Sequence, residues 1–128
     1  MRDFLLVGVG GFVGSVSRYY LSGLVLHLSA DSGFPWATLT VNALGCLAIG
    51  AIAGLAEHTE LISPATRLFL LTGVLGGFTT FSAFGFETFA LGREHLWSAA
   101  TLNVGLHLIV ALPAVWIGHR VAAGLLSG

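Results

Sequence analysis

The sequence predicts an all-α membrane protein with four transmembrane helices, the third of them broken, and three observations predict it. Hydrophobic residues make up 55% of the 128-residue chain and charged residues 9%, with a mean hydropathy of +0.92, the composition of a chain whose solvent is lipid. Four apolar segments each exceed the ~20 residues that a helix needs to cross a hydrocarbon core. The third contains GVLGGFTTFSAFGFET, Gly73 to Thr88, where paired glycines and two β-branched threonines weaken the helix in a solvent that offers freed backbone groups no partner. Such a break is tolerated only where protein or water satisfies it. Intramembrane ion sites are built this way: freed carbonyls bind a cation, and freed N–H groups and hydroxyls serve an anion.

The charge pattern removes several classes of function. The chain has no lysine, and five arginines against six acids give a formal charge of −1, so there is no basic surface for nucleic acid and no acidic tail. Cys46 is alone and lies in an apolar segment, where it reads as a small packing residue. The apolar run after Arg2 outlasts the core of a signal peptide and lacks an A-x-A cleavage site, so it is read as a retained helix.

The first span covers about residues 4–28. Gly10 and Gly14 form a GxxxG pair beside Gly8, Gly11 and Ser15, a face small enough for close approach of another helix. Arg18 falls ~21 Å into this span at ~1.5 Å per residue. It either snorkels to the far interface or lines an aqueous vestibule that attracts anions. After the turn-rich ADSGFP, Trp36 anchors a second span over about residues 36–56. That span carries one amide, Asn42, flanked by Thr38, Thr40, Gly45, Gly50 and Gly54. A lone membrane asparagine is often interhelical glue, and it is also an uncharged donor for an anion.

The polar residues 57–66 form a loop, with Pro64 helping to start the next helix. The third span covers about residues 67–91 and is broken near 76–82. The fourth begins near residue 96 and spans to about 120, with the apolar run continuing to Leu126. Ser98, Thr101, Asn103 and His107 are its polar inner positions, Asn103 and His107 share a face, and Pro113 predicts a kink. No repeat or second domain is visible, so residues 1–128 form one channel-sized unit.

Four spans put Arg2, Arg67 and Arg120 on one side and Arg93, with a snorkelling Arg18, on the other. That is almost no positive-inside bias. The chain can therefore insert both ways, and four short helices leave little room for an internal aqueous path. Both points favour an antiparallel, dual-topology homodimer.

Enzymatic chemistry finds little support. Glu87 is the only acid near the centre, no serine is paired with a base, and His27, His58, His95 and His119 fall near helix ends or loops without metal-ligand spacing. The chain supplies neutral donors instead: Asn42, Thr79, Thr80, Ser82, Thr88 and Asn103. Phe81 and Phe84, three apart, face the same way. Packing is the ordinary reading of such a pair, but ring edges beside hydroxyls also attract a small anion without trapping it.

The stretch GVLGGFTTFSAFGFET, with TLTVNALGCLAIG and GGFVGSVSRYYLS, resembles the Fluc/CrcB family of fluoride ion channels over the whole chain. The resemblance implies a dual-topology antiparallel dimer in the cell (plasma) membrane, with two narrow pores that export fluoride passively from the cytoplasm. It implies Phe81 and Phe84 as pore phenylalanines, Asn42 as the pore asparagine, and Thr80 and Ser82 as hydroxyls of a polar track. It further implies backbone carbonyls of Gly76 and Thr79, from both subunits, around a central structural sodium ion (Na+). Arg18 matches the arginine of the first-helix motif, and Glu87 the acid after the phenylalanine motif. On the fourth span Asn103 and His107 stand where small hydroxyl residues or tyrosine are usual; His107 is either a group whose charge alters anion occupancy or a histidine bonded within the bundle. Two competing readings remain. A small proton-coupled four-helix exporter would carry a central acid in its first span, which here has none, and a scaffold held by GxxxG faces would not need the TTFS interruption.

Overall fold

The computed structural model describes residues 1–30, 32–58 and 62–126. Asp31 of the expected first turn and residues 59–61 of the expected polar loop lie outside the described residues, as does the side chain of His58. The described regular elements are helical: α1 (Arg2–Leu28), α2 (Trp36–His58), α3 (64–78), α4 (Phe81–Arg93) and α5 (97–126). Four stretches are long and apolar enough to cross a membrane: Arg2–Leu28, Trp36–Glu57, Pro64–Arg93, which joins α3 to α4, and Trp97–Leu125.

The helices associate as two tightly crossed pairs. Gly10 and Gly14 are the buried residues of α1, and both are pressed on the backbone of α3. A Cβ on Gly10 would lie 2.7 Å from the Phe69 carbonyl oxygen, and one on Gly14 would strike the carbonyl of Val74. From α3, Gly73 and Gly77 answer with the same four-residue spacing, Gly73 against Gly10 and Gly77 against Gly11. In the second pair α2 runs along the C-terminal half of α5: Gly50 meets the Val115 carbonyl, Gly118 meets that of Leu47, and Gly54 that of His119. Lipid supplies no hydrophobic drive between helices, so close backbone contact of this kind is what holds them. The outer face of α1 stays uncovered, with Phe4, Phe12 and Tyr19 exposed.

Helix ends follow local chemistry. The third span starts at Pro64, three residues before the expected start, because Ser63 caps it: its Oγ accepts the Thr66 N–H at 3.2 Å, and Pro64 occupies the first turn, where no N–H is missed. Between α4 and α5, Leu96 N–H donates to Leu91 O at 2.9 Å and His95 N–H to Gly92 O at 3.0 Å. This is a Schellman ending with His95 at φ 61°, a place that favours glycine. The irregularity expected at Pro113 takes the form of wide π-helical turns over His107–Ala111, just before the residue that has no N–H to offer the preceding turn. A second wide stretch, Leu68–Leu75, lies in α3.

Candidate functional site

The interruption of the third span is narrower than the expected residues 76–82. Gly76–Phe78 remains helical, and only Thr79 (φ −81°, ψ 158°) and Thr80 (φ −152°, ψ 107°) are extended. Gly77, read from the sequence with Gly76 as a weak point, instead allows close contact with α1, as does Gly73. The two β-branched residues carry the break, in the backbone region that suits them.

Side chains from α1 and α2 close that break. Thr80 N–H, which a continuous helix would give to Gly76 O, donates to Asn42 Oδ1 at 2.9 Å, and Asn42 Nδ2 returns a bond to Thr80 O at 3.2 Å. The Asn42 carboxamide thus pairs with Thr80 as a second peptide would. Arg18 Nη1 donates to Thr79 O at 3.4 Å, and Ser15 Oγ to Gly77 O at 3.4 Å. Arg18 is therefore partly buried against the break. Gly45, one turn from Asn42, leaves room for the Thr79 methyl, which a Cβ there would strike.

Downstream, Thr80 caps α4 by accepting Ala83 N–H at 3.2 Å, and its Oγ1 lies 3.1 Å from Ser82 Oγ. Hydroxyl hydrogens near the break are mostly committed: Thr79 donates to Leu75 O, Thr88 to Phe84 O, Thr38 to Glu87 Oε1 and Ser15 to Gly77 O. The Thr80–Ser82 pair has two such hydrogens and uses one between them. Whichever donates, the other hydroxyl hydrogen has no acceptor among the described residues; the next ring pair, Phe81 and Phe84, has centroids 5.4 Å apart. Phe84 also lies on His107, centroids 4.3 Å apart. His107 in turn places Nε2 3.3 Å from Asn42 Nδ2 and Nδ1 2.9 Å from Asn103 O. A cavity of about 370 Å³ opens here, lined among others by Asn42, Thr79, Thr80, Phe81, Phe84 and His107. Phe81 itself is 82% exposed at its mouth.

The remaining two sequence candidates sit farther along α4 and α5. Asn103 is fully buried, and its Nδ2 donates to Thr88 Oγ1 at 2.9 Å. Glu87 lines a separate cavity of about 340 Å³ with Ser29 and Phe34 of the α1–α2 connection. Glu87 Oε2 and Asn103 Oδ1 are buried and have no hydrogen-bond partner among the described residues. Sequence reasoning placed Ser15 only on the small contact face of α1, and gave no role to Thr38 and Gly45 beyond flanking Asn42. Thr38 is four residues before Asn42 and Gly45 three after, so the helical period already put both on its face.

Residues 5–119 match the family described as CrcB-like protein, Camphor Resistance (CrcB). The chain belongs to the CrcB family. All residues of the site from Arg18 to His107 fall within the matched region. Among CrcB relatives, the chain is 50% identical over 120 residues to the fluoride-specific ion channel FluC of Methylobacillus flagellatus, covering 94% of each chain. It is 46% identical over 129 residues to the FluC of Opitutus terrae, covering 99% of this chain and 97% of that one. With the FluC of Chlorobium chlorochromatii identity is 56% over 100 residues, covering 77% and 76%.

Proposed function

We propose that the protein is a fluoride-specific channel of the cell membrane, through which fluoride leaves the cytoplasm passively. The observation that carries this reading is the interrupted third span whose Thr80 is paired by the neutral Asn42 carboxamide, next to the Thr80–Ser82 hydroxyl pair and the rings of Phe81 and Phe84. The curated relatives that cover nearly the whole chain are fluoride-specific channels by name, which supports it. Fluoride is small and strongly hydrated, so a narrow lane must replace its water with close donors. Hydroxyl and ring-edge groups do so weakly enough to let it go. In this reading Phe81, Phe84, Thr80, Ser82 and Asn42 border the lane, Asn103 and His107 shape its wall, Arg18 backs the break through Thr79 O, and Glu87 stands nearer one end.

The lane needs a second copy. Phe81 is 82% exposed in the single chain, and its ring edge borders a path only if another surface faces it. An antiparallel, dual-topology dimer with two pores supplies that surface twice, in keeping with the near-absence of arginine bias. Sodium fits the same junction. Gly76 is exposed, and its carbonyl has lost the Thr80 N–H to Asn42. Thr79 O keeps a lone pair beside its contact with Arg18. The Gly76 carbonyl belongs to the negative end of α3 and the Thr79 carbonyl lies in the extended link just after it, and such oxygens suit a hard cation. Gly76 and Thr79 of both copies would hold the ion, which would offset those carbonyls and add positive potential for anions.

Fluoride and chloride efflux from liposomes containing purified protein tests the reading. Fluoride efflux far above chloride efflux, abolished in Phe81→Ile, is the expected result; equal efflux of both halides, or of neither, overturns it.

A further inference from the structure

We infer that His107, as the neutral tautomer with its proton on Nδ1, is the positioning residue that holds the Asn42 carboxamide across the interruption between α3 and α4. Two independent chains of hydrogen bonds meet at this contact and agree. From α5, His107 Nδ1 lies 2.9 Å from Asn103 O; a backbone carbonyl only accepts, so Nδ1 carries the proton and Nε2 is left with a lone pair. From the break, Asn42 Oδ1 lies 2.9 Å from Thr80 N and Nδ2 lies 3.2 Å from Thr80 O. A backbone N–H only donates, so the carboxamide has one orientation, with its second amide hydrogen toward His107 Nε2 at 3.3 Å. Flipping the amide would set donor against donor and acceptor against acceptor at Thr80.

The arrangement uses Nε2 as an acceptor. A proton on Nε2 would face the Asn42 N–H, and the amide cannot turn to receive it without giving up both bonds to Thr80. The ring has little freedom to step aside, since Phe84 lies on it and His107 is 9% exposed. Ionisable groups around it are few among the described residues. From α4 the acid is Glu87, whose Oε1 accepts from Thr38; from α2, Cys46 lines the same cavity. From α1, Arg18 is engaged on Thr79 O, and neither α3 nor the rest of α5 adds an ionisable side chain to the cavity lining. The fourth span thus sets, through one ring nitrogen, how the second span closes the third.

The tautomer is read directly by ¹⁵N NMR of histidine-labelled protein in detergent at neutral pH, with His107→Gln identifying the signal. A protonated Nδ1 and a bare Nε2 are expected; the opposite tautomer, or an imidazolium, overturns the inference. The second arm, fluoride efflux from liposomes, rests on the channel reading. His107→Leu, which offers Asn42 no acceptor, is expected to lower efflux about tenfold, and His107→Gln, which restores one, to recover most of it. A Gln variant as slow as the Leu variant overturns the assignment. Should the wild type pass no fluoride at all, the channel reading fails, and the tautomer still decides this one.

Discussion

At the residue scale, stability and conduction rest on different polar groups. Asn42 satisfies both the N–H and the C=O of Thr80, and an unpartnered buried backbone group costs about 1–3 kcal/mol. Asn42→Ala is therefore expected to destabilise the protein by roughly 2–4 kcal/mol, seen as a lower denaturation midpoint in detergent. A shift below about 0.5 kcal/mol, the range of an ordinary surface change, would mean that water replaces the amide. Ser82 is the contrasting case. It is exposed and shares with Thr80 a hydroxyl hydrogen that has no acceptor among the described residues. Ser82→Ala should leave the denaturation midpoint nearly unchanged yet lower fluoride efflux severalfold; full efflux would take the Thr80–Ser82 pair off the path. The sequence marks both residues as polar within an apolar span. It does not reveal which donors are already committed, because Thr79, Thr88 and Thr38 look equally available until their acceptors, Leu75 O, Phe84 O and Glu87, are in place.

At the scale of elements, hydropathy and length make the four spans legible, since twenty apolar residues have few other uses. The glycines are less transparent. Gly10 and Gly14 read correctly as a contact face, yet Gly77, which has the same spacing from Gly73, reads with Gly76 as a weak point in a helix. A missing Cβ serves close packing and chain breaking alike, and only the presence of Gly10 and Gly11 opposite them decides between the two. The short α4–α5 connection holds a further feature that hydropathy does not show. His95 adopts φ 61° in a Schellman ending that glycine fills without steric cost. His95→Gly is expected to raise stability by up to about 1 kcal/mol, the cost of the left-handed region for a residue with a Cβ. Calorimetric or denaturant melts in detergent would show it, and a lower melting point would mean that the imidazole makes a compensating contact.

At the scale of the whole molecule, the single chain leaves the site open on one side: Phe81 stands free, and the Gly76 carbonyl lacks its helical donor and is exposed. Both point toward a surface that a second copy would cover. If sodium joins the copies there, its removal acts on assembly and conduction together, because the same carbonyls close the junction and end the interrupted helix. Exchange of purified protein into sodium-free choline buffer is expected to shift it from dimer to monomer in size-exclusion chromatography and to stop fluoride efflux, with both returning when sodium is added back. Arg18 offers an internal comparison. Its guanidinium already touches Thr79 O, so Arg18→Gln removes a neighbouring positive charge while keeping a donor, and less sodium should then be needed to restore the dimer. Assembly and efflux that survive thorough sodium removal would leave the Gly76 and Thr79 carbonyls to be satisfied by the protein itself, with Arg18 as the cation that the junction uses.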